Sequence, residues 1–158
     1  MKTEMELVIL LVNALKKKGY TVATEVPNCY RSTDIAVIDN KGLTWAIECK
    51  MSNIKQALRQ LMVQVYAADF VYIAMPLKKT REVSLEQIKK RGFGLLYVRE
   101  NGEVIEKIKP LHNDIYIAYK NKFMTGIYEQ AKEEGKFDSL QDFIKSEEQN
   151  YELRRGAK

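Results

Sequence analysis

Leu7, Leu11, Ala14 and Leu15 recur at helical spacing between Thr3 and Lys18. Gly19 follows where a left-handed C-terminal cap belongs, so this stretch predicts a first helix. Tyr20 to Val26 alternates weakly and stops at Pro27, the pattern of a short strand, and residues 28–32 read as a loop. Asp34–Ile38 and Leu43–Lys50 flank Asp39-Asn40-Lys41-Gly42, which predicts a hairpin of two strands. Ser52 caps a predicted helix reaching about Ala68, with Ile54, Ala57, Leu58, Leu61, Val65 and Ala68 facing inward. Phe70–Met75 reads as a buried strand closed by Pro76. Ser84 and Gln87 have capping-box spacing for a further helix that ends near Arg91-Gly92. Gly94–Arg99 and Val104–Ile108 flank Asn101-Gly102 as a second hairpin. Beyond Pro110 the pattern turns helical, from about Asn113 to Glu134 and from Asp138 or Ser139 to about Leu153. The expected order is α-β-β-β-α-β-α-β-β and then helices. That is an α/β sheet domain over residues 1–110 with a helical extension over 111–158, packed on the core or at a dimer interface.

Composition narrows the chemistry. The chain has 158 residues, close to the average for one globular domain. The longest apolar run, Leu7–Val12, is far short of the ~20 residues that span a bilayer, so no membrane role is expected. The first residues lack a signal-peptide layout, and Cys29 and Cys49 form no metal-spaced pair. Both features lead us to expect a reducing cytoplasm. The single histidine, His112, excludes any mechanism or metal site that needs two. There is no glycine-rich phosphate loop and no Gly-x-Ser-x-Gly elbow. Catalysis, if present, is left to carboxylates and lysines.

Strand alternation brings two carboxylates together. With Ile38 opposite Thr44, Ala36 faces Ala46 and Asp34 faces Glu48, with Lys50 one step further along. Opposed like charges destabilise a strand pair unless a cation neutralises them. Mg²⁺ binds through one or two carboxylates while keeping waters and taking phosphate oxygens. A nearby lysine can orient a water or offset negative charge in the transition state. The alternative is a solvent-facing strand pair with ordinary Glu48/Lys50 alternation.

Asp34, thirteen intervening residues, and Glu48-Cys49-Lys50 resemble the motif of the PD-(D/E)XK nuclease superfamily. Glu25-Val26-Pro27, Asp34–Val37, Ile47–Lys50 and Ala68–Pro76 look most like its small MmcB-like and archaeal or phage members. Holliday-junction resolvases are similar in layout. The resemblance covers about the first 75 residues and implies a restriction-endonuclease-like αβββαβ core, its mixed sheet flanked by helices. It further implies that Asp34 and Glu48 hold Mg²⁺ (Mn²⁺ as a substitute), with the Cys49 carbonyl as a third oxygen. Lys50 would position the attacking water or stabilise the transition state. A first-helix glutamate often accompanies such a site, and Glu4 fits it better than Glu6. A glutamine from the helix after the motif is also common, and Gln60 fits it better than Gln64. Thr33 departs from the family by standing where a proline often precedes the aspartate.

Residues 51–110 hold 11 basic and 6 acidic side chains, whereas 1–50 hold 7 and 6 and 111–158 hold 8 and 9. The excess of +5 therefore sits in the middle third, as a polyanion partner would require, although a solvated lysine-rich face would look the same. Phosphate contacts are expected from Arg31, Lys55, Arg59, Lys78 and Lys79, with Tyr30 stacking or wedging. The Lys89-Lys90-Arg91 cluster also has a simpler reading, as cations favour helix C-termini. The leading expectation is a Mg²⁺-dependent DNA endonuclease that acts as a homodimer, with branched or single-stranded DNA among its candidate substrates. A catalytically weak or inactive nucleic-acid-binding protein on the same fold is the alternative. A regulatory protein that uses the aromatic C-terminal helices is a third reading.

Overall fold

The computed structural model describes residues 1–78 and 80–156. The elements run α1 (Glu4–Lys17), β1 (Thr21–Asn28), β2 (Arg31–Ile38), β3 (Thr44–Cys49) and α2 (Ile54–Leu61). A short 3₁₀ turn (Gln64–Tyr66) leads into β4 (Phe70–Pro76), α3 (Glu82–Lys90), β5 (Gly94–Val98), β6 (Val104–Ile108), α4 (Ile117–Glu134) and α5 (Leu140–Gly156). The six strands form one sheet in chain order. β1-β2-β3 is an antiparallel meander, β3-β4 and β4-β5 are parallel, and β6 returns antiparallel to β5. The parallel steps are the ones crossed by α2 and α3, because a parallel pair needs a long connection. This is the α/β architecture expected, a mixed sheet flanked by helices.

Alternation sorts the core into two layers. Ile35, Val37, Ile47, Cys49, Tyr72 and Ala74 face Leu7, Leu11, Val12 and Leu15 of α1 and Leu140 of α5. Burying each of those α1 side chains contributes about 1.5–3 kcal/mol. On the other side Ala36, Ala46, Val71 and Ile73 meet Ala57, Leu58 and Leu61 of α2, Ile88 of α3, and Phe123 and Ile127 of α4. α4 thus completes the sheet's own core. The small alanines of β2 and β3 let α2 lie close.

Several boundaries differ from the sequence reading, each for a local reason. β1 continues through Pro27, which an edge strand tolerates because no ladder donor is needed on its free side. The expected 28–32 loop is only a two-residue turn, Cys29 and Tyr30, both at positive φ (49° and 69°), between the paired Asn28 and Arg31. Those angles mark a primed hairpin turn. Asn53, at φ 62°, caps α2 in place of Ser52 by accepting from the Gln56 amide. α2 ends at Leu61 rather than near Ala68, since the chain tightens into the 3₁₀ turn. α3 starts at Glu82 without a side-chain cap, so the Ser84/Gln87 box does not form. α4 starts at Ile117 rather than Asn113, because the amides of Asn113 and Tyr116 bond back to the carbonyls of Asp69 and Tyr66.

A buried polar knot fixes the end of the sheet opposite the Cys29-Tyr30 turn. Asp69, 1% exposed, accepts from the Thr44 amide (2.8 Å) and hydroxyl (3.0 Å), and pairs with Lys120 Nζ and His112 Nε2, both at 2.8 Å. Burial alone would push its pKa up, but these partners outweigh that and hold the carboxyl below its ordinary range. His112 is therefore a tie between the start of β4 and the segment before α4. The edge strand β1 is covered as well, for the buried Glu134 of α4 accepts from the amide and hydroxyl of Thr24.

Candidate active site

The β2–β3 register is Ile38↔Thr44, Ala36↔Ala46 and Ile35↔Ile47, and there the ladder stops. Asp34 and Glu48 are the next residues on each strand, opposite each other as the alternation argument requires. Beyond Ile47 the strands part, and the Cys49 amide donates to the Asp34 carboxylate (2.9 Å) instead of to a β2 carbonyl. The two carboxyl groups are close enough to perturb each other's titration. Burial first, and the Asp34 charge second, push Glu48 up to about 8. Burial also raises Asp34, against the Cys49 amide, Glu48 and the Lys50 charge, all of which lower it.

β1 brings a third carboxylate level with them. Thr24↔Ile35 and Val26↔Thr33 flank Glu25 and Asp34, so Glu25 lies opposite Asp34. Glu25 has φ 51° in mid-strand, an uncommon conformation for a residue with a Cβ. That twist changes which face each strand presents: Val26 packs on the same side as Ala23, three residues away. Asp34 consequently lines a cavity of about 440 Å³ on the α1 side, together with Met5, Val8, Glu25 and residues of α4 and α5. Glu25 is raised by burial and by the Asp34 charge, against a bond from Ser32 Oγ (2.9 Å).

Glu48 instead turns toward α2. There Gln64, fully buried, donates from Nε2 to Glu48 Oε2 (3.3 Å), while its Oε1 accepts from Thr33 Oγ1 (3.0 Å). Thr33 in turn receives Asn28 Nδ2 (3.4 Å). This chain fixes the orientation of the Gln64 amide. It also gives Thr33 a task that proline, with no side-chain donor, does not perform. Gln60, the expected glutamine, does not reach the pair. Its Oε1 is buried with no partner among the described residues, and its main-chain carbonyl accepts from Gln64. The early end of α2 is the reason, because the 3₁₀ turn swings Gln64 under the sheet.

Of the two α1 glutamates, Glu4 acts electrostatically on Asp34. Glu6 accepts from the Lys2 amide (2.7 Å) and so serves the helix start. Lys50, half-buried, extends the β3–β4 ladder through its amide to the Ala74 carbonyl (3.0 Å). Cys49 is buried against α1, its thiol pushed well up by burial and the surrounding carboxylates. Tyr30 is fully exposed at the hairpin tip beside exposed Arg31, four residues before Asp34. Lys55 and Arg59 lie on the exposed side of α2, and Lys78 Nζ reaches the Met51 carbonyl (2.6 Å). Lys79 lies outside the described residues.

The donor set suits a hard divalent ion. Among the described residues no three His, Cys, Asp or Glu side chains converge on one point. Asp34, Glu48 and the Cys49 carbonyl would leave positions for water and phosphate oxygens, which is how Mg²⁺ is usually held. The sequence reading ranks Gln64 behind Gln60 and gives Glu25 and Asn28 no part in the site. Gln64 was detectable as a polar residue at +3 from Leu61 on the apolar side of α2, where a buried amide needs a partner. No sequence signal marks the twist at Glu25.

No family model matches the chain, and no curated protein matches it. Among solved structures it is similar to the SPO1766 protein of unknown function from Silicibacter pomeroyi, with a TM-score of 0.67 and 18% identity over 84% of this chain and 88% of that one. At that identity the likeness bears on the fold alone.

Proposed function

We propose that the protein is a metal-dependent nuclease that hydrolyses phosphodiester bonds in DNA, built on a restriction-endonuclease-like core. The observation that carries this reading is the Asp34–Glu48 pair, opposed at the end of the β2–β3 ladder with the Cys49 amide on Asp34 and Lys50 next along the strand. The element order α1-β1-β2-β3-α2-β4 and the mixed sheet support this reading. Mg²⁺ or Mn²⁺ held by Asp34, Glu48 and the Cys49 carbonyl would make a water more acidic and offset charge on the phosphoryl oxygens. Lys50 orients the attacking water and offsets charge as the leaving oxygen departs. Gln64, fixed by Thr33, holds Glu48 in place. Glu4 adds negative charge on the α1 side, which strengthens the site's demand for a cation. Tyr30, Arg31, Lys55 and Lys78 meet the nucleic acid, and a homodimer would set two sites against the two strands of a duplex.

Cleavage of linear, nicked, flap and four-way-junction DNA with Mg²⁺ or Mn²⁺ tests this proposal. Metal-dependent products from at least one substrate support it. No cleavage of any substrate refutes it. The second reading, binding without cleavage, draws on the exposed cations of α2, which need no catalysis to explain them. It predicts salt-sensitive DNA retention that survives alanine at both Asp34 and Glu48.

A further inference from the structure

The groove between α2 and α3 joins cations that are far apart in sequence. One cavity, about 660 Å³, is lined by Lys55, Leu58, Arg59, Gln87, Lys90 and Arg91. A second, about 640 Å³, shares Lys55 and Gln87 with it and adds Lys78 and Arg81 toward the carboxyl end of β4. No carboxylate lines either cavity, and among the described residues none of these six cations forms an ion pair. Six like charges around one groove repel one another, and only a bound polyanion or counterions relieve that. Lys90 and Arg91 are therefore more than complements to the α3 dipole, for they close the groove opposite Arg59.

The α1 side of the site has the opposite sign. The cavity that contains Asp34 is lined also by Glu25 and by Glu147, Glu148 and Glu152 of α5, and no lysine or arginine lines it. A phosphate backbone is repelled there and attracted on the α2–α3 side. Ser52, Asn53, Thr80, Ser84 and Gln87 supply uncharged polar groups along the same groove. Its lining includes no aromatic side chain on which a base could stack.

We infer that the α2–α3 groove is a sequence-independent binding track for the phosphate backbone of nucleic acid, with Arg81, Lys90 and Arg91 as contacts beside Lys55, Arg59 and Lys78. The identity of the polyanion rests on the nuclease reading above; the track itself does not require cleavage. The test is binding of a fluorescent 20-nucleotide single strand and its duplex, titrated over 50–200 mM salt without divalent metal. Lys55→Ala/Arg59→Ala/Lys90→Ala/Arg91→Ala removes four exposed cations. If each contacts a phosphate, log affinity against log salt flattens by roughly 3 to 4. A control, Lys17→Ala/Lys41→Ala/Lys132→Ala/Lys145→Ala, removes the same charge elsewhere and should retain most of the affinity and slope. Equal losses in the two variants, a groove variant that binds like wild type, or no binding by wild type at 50 mM salt would each overturn the track. If the groove variant alone loses binding while wild-type protein cleaves nothing, the track stands and the nuclease reading fails.

Discussion

Thr33→Val tests the buried chain that ends at Glu48. The substitution nearly conserves shape but removes the hydroxyl that donates to Gln64 Oε1 at 3.0 Å. Gln64 has no solvent exposure, so that oxygen finds no water in exchange. Leaving a buried acceptor unsatisfied costs about 1–3 kcal/mol. The Asn28 Nδ2 contact, at 3.4 Å, is long and adds little. In a chain of this size a loss of about 2 kcal/mol lowers Tm by about 4–8 °C. Thr33→Ser keeps the hydroxyl and should lose markedly less than Thr33→Val. Calorimetric unfolding of the three proteins at neutral pH without metal is the assay. A Tm for Thr33→Val within about 1 °C of wild type, or equal losses for the two substitutions, would show that this chain does not hold Gln64.

Asp69→Asn leaves Lys120 without its counter-ion in the buried knot and should cost about 3–5 kcal/mol, read by urea unfolding. Because the folded-state value of Asp69 is depressed, its contribution is fully present above the unfolded value of about 3.9 and is lost as pH falls through the folded one. Wild type should therefore lose more stability than Asp69→Asn on acidification below pH 4. Glu48 has the opposite sign: its folded-state value is raised to about 8, so metal-free stability should decline as pH rises from about 4.5 through 8. Glu48→Gln should flatten that decline and raise Tm at pH 8. Gly94→Ala sets a methyl 2.5 Å from the Tyr72 ring and 3.0 Å from Pro110, which should cost about 1–3 kcal/mol in thermal unfolding.

Much of the frame was legible because binary patterning decides it. Alternation in Asp34–Ile38 and Thr44–Cys49 was enough to place Ala36 opposite Ala46 and Asp34 opposite Glu48, and the ladder has that register. A one-residue slip would have turned Ile35 and Ile47 away from α1, so the buried face leaves one choice. The parts that escaped depend on tertiary contact. Propensity continues α2 through Ala68, but the polar chain from Asn28 to Glu48 captures Gln64 and turns the helix into a 3₁₀ turn. That capture makes Gln64, not Gln60, the residue at the site. Positive φ at Glu25, Cys29 and Tyr30 is equally invisible to pattern, since none is glycine or asparagine. The charge excess of residues 51–110 was countable from the start, but only the packing of α2 against α3 shows that Lys55, Arg59, Lys90 and Arg91 share one groove.

The proposed function requires that Asp34, Glu48 and Lys50 form a metal-dependent hydrolytic site. Supercoiled-plasmid relaxation with 5–10 mM Mg²⁺ or Mn²⁺, comparing wild type with Asp34→Ala and Lys50→Ala at matched purity, tests it most directly. Wild type should nick in a manner that EDTA abolishes, and each variant should lose about 10²-fold or more. Equal nicking by wild type and Asp34→Ala, or none by wild type with either metal, would contradict it.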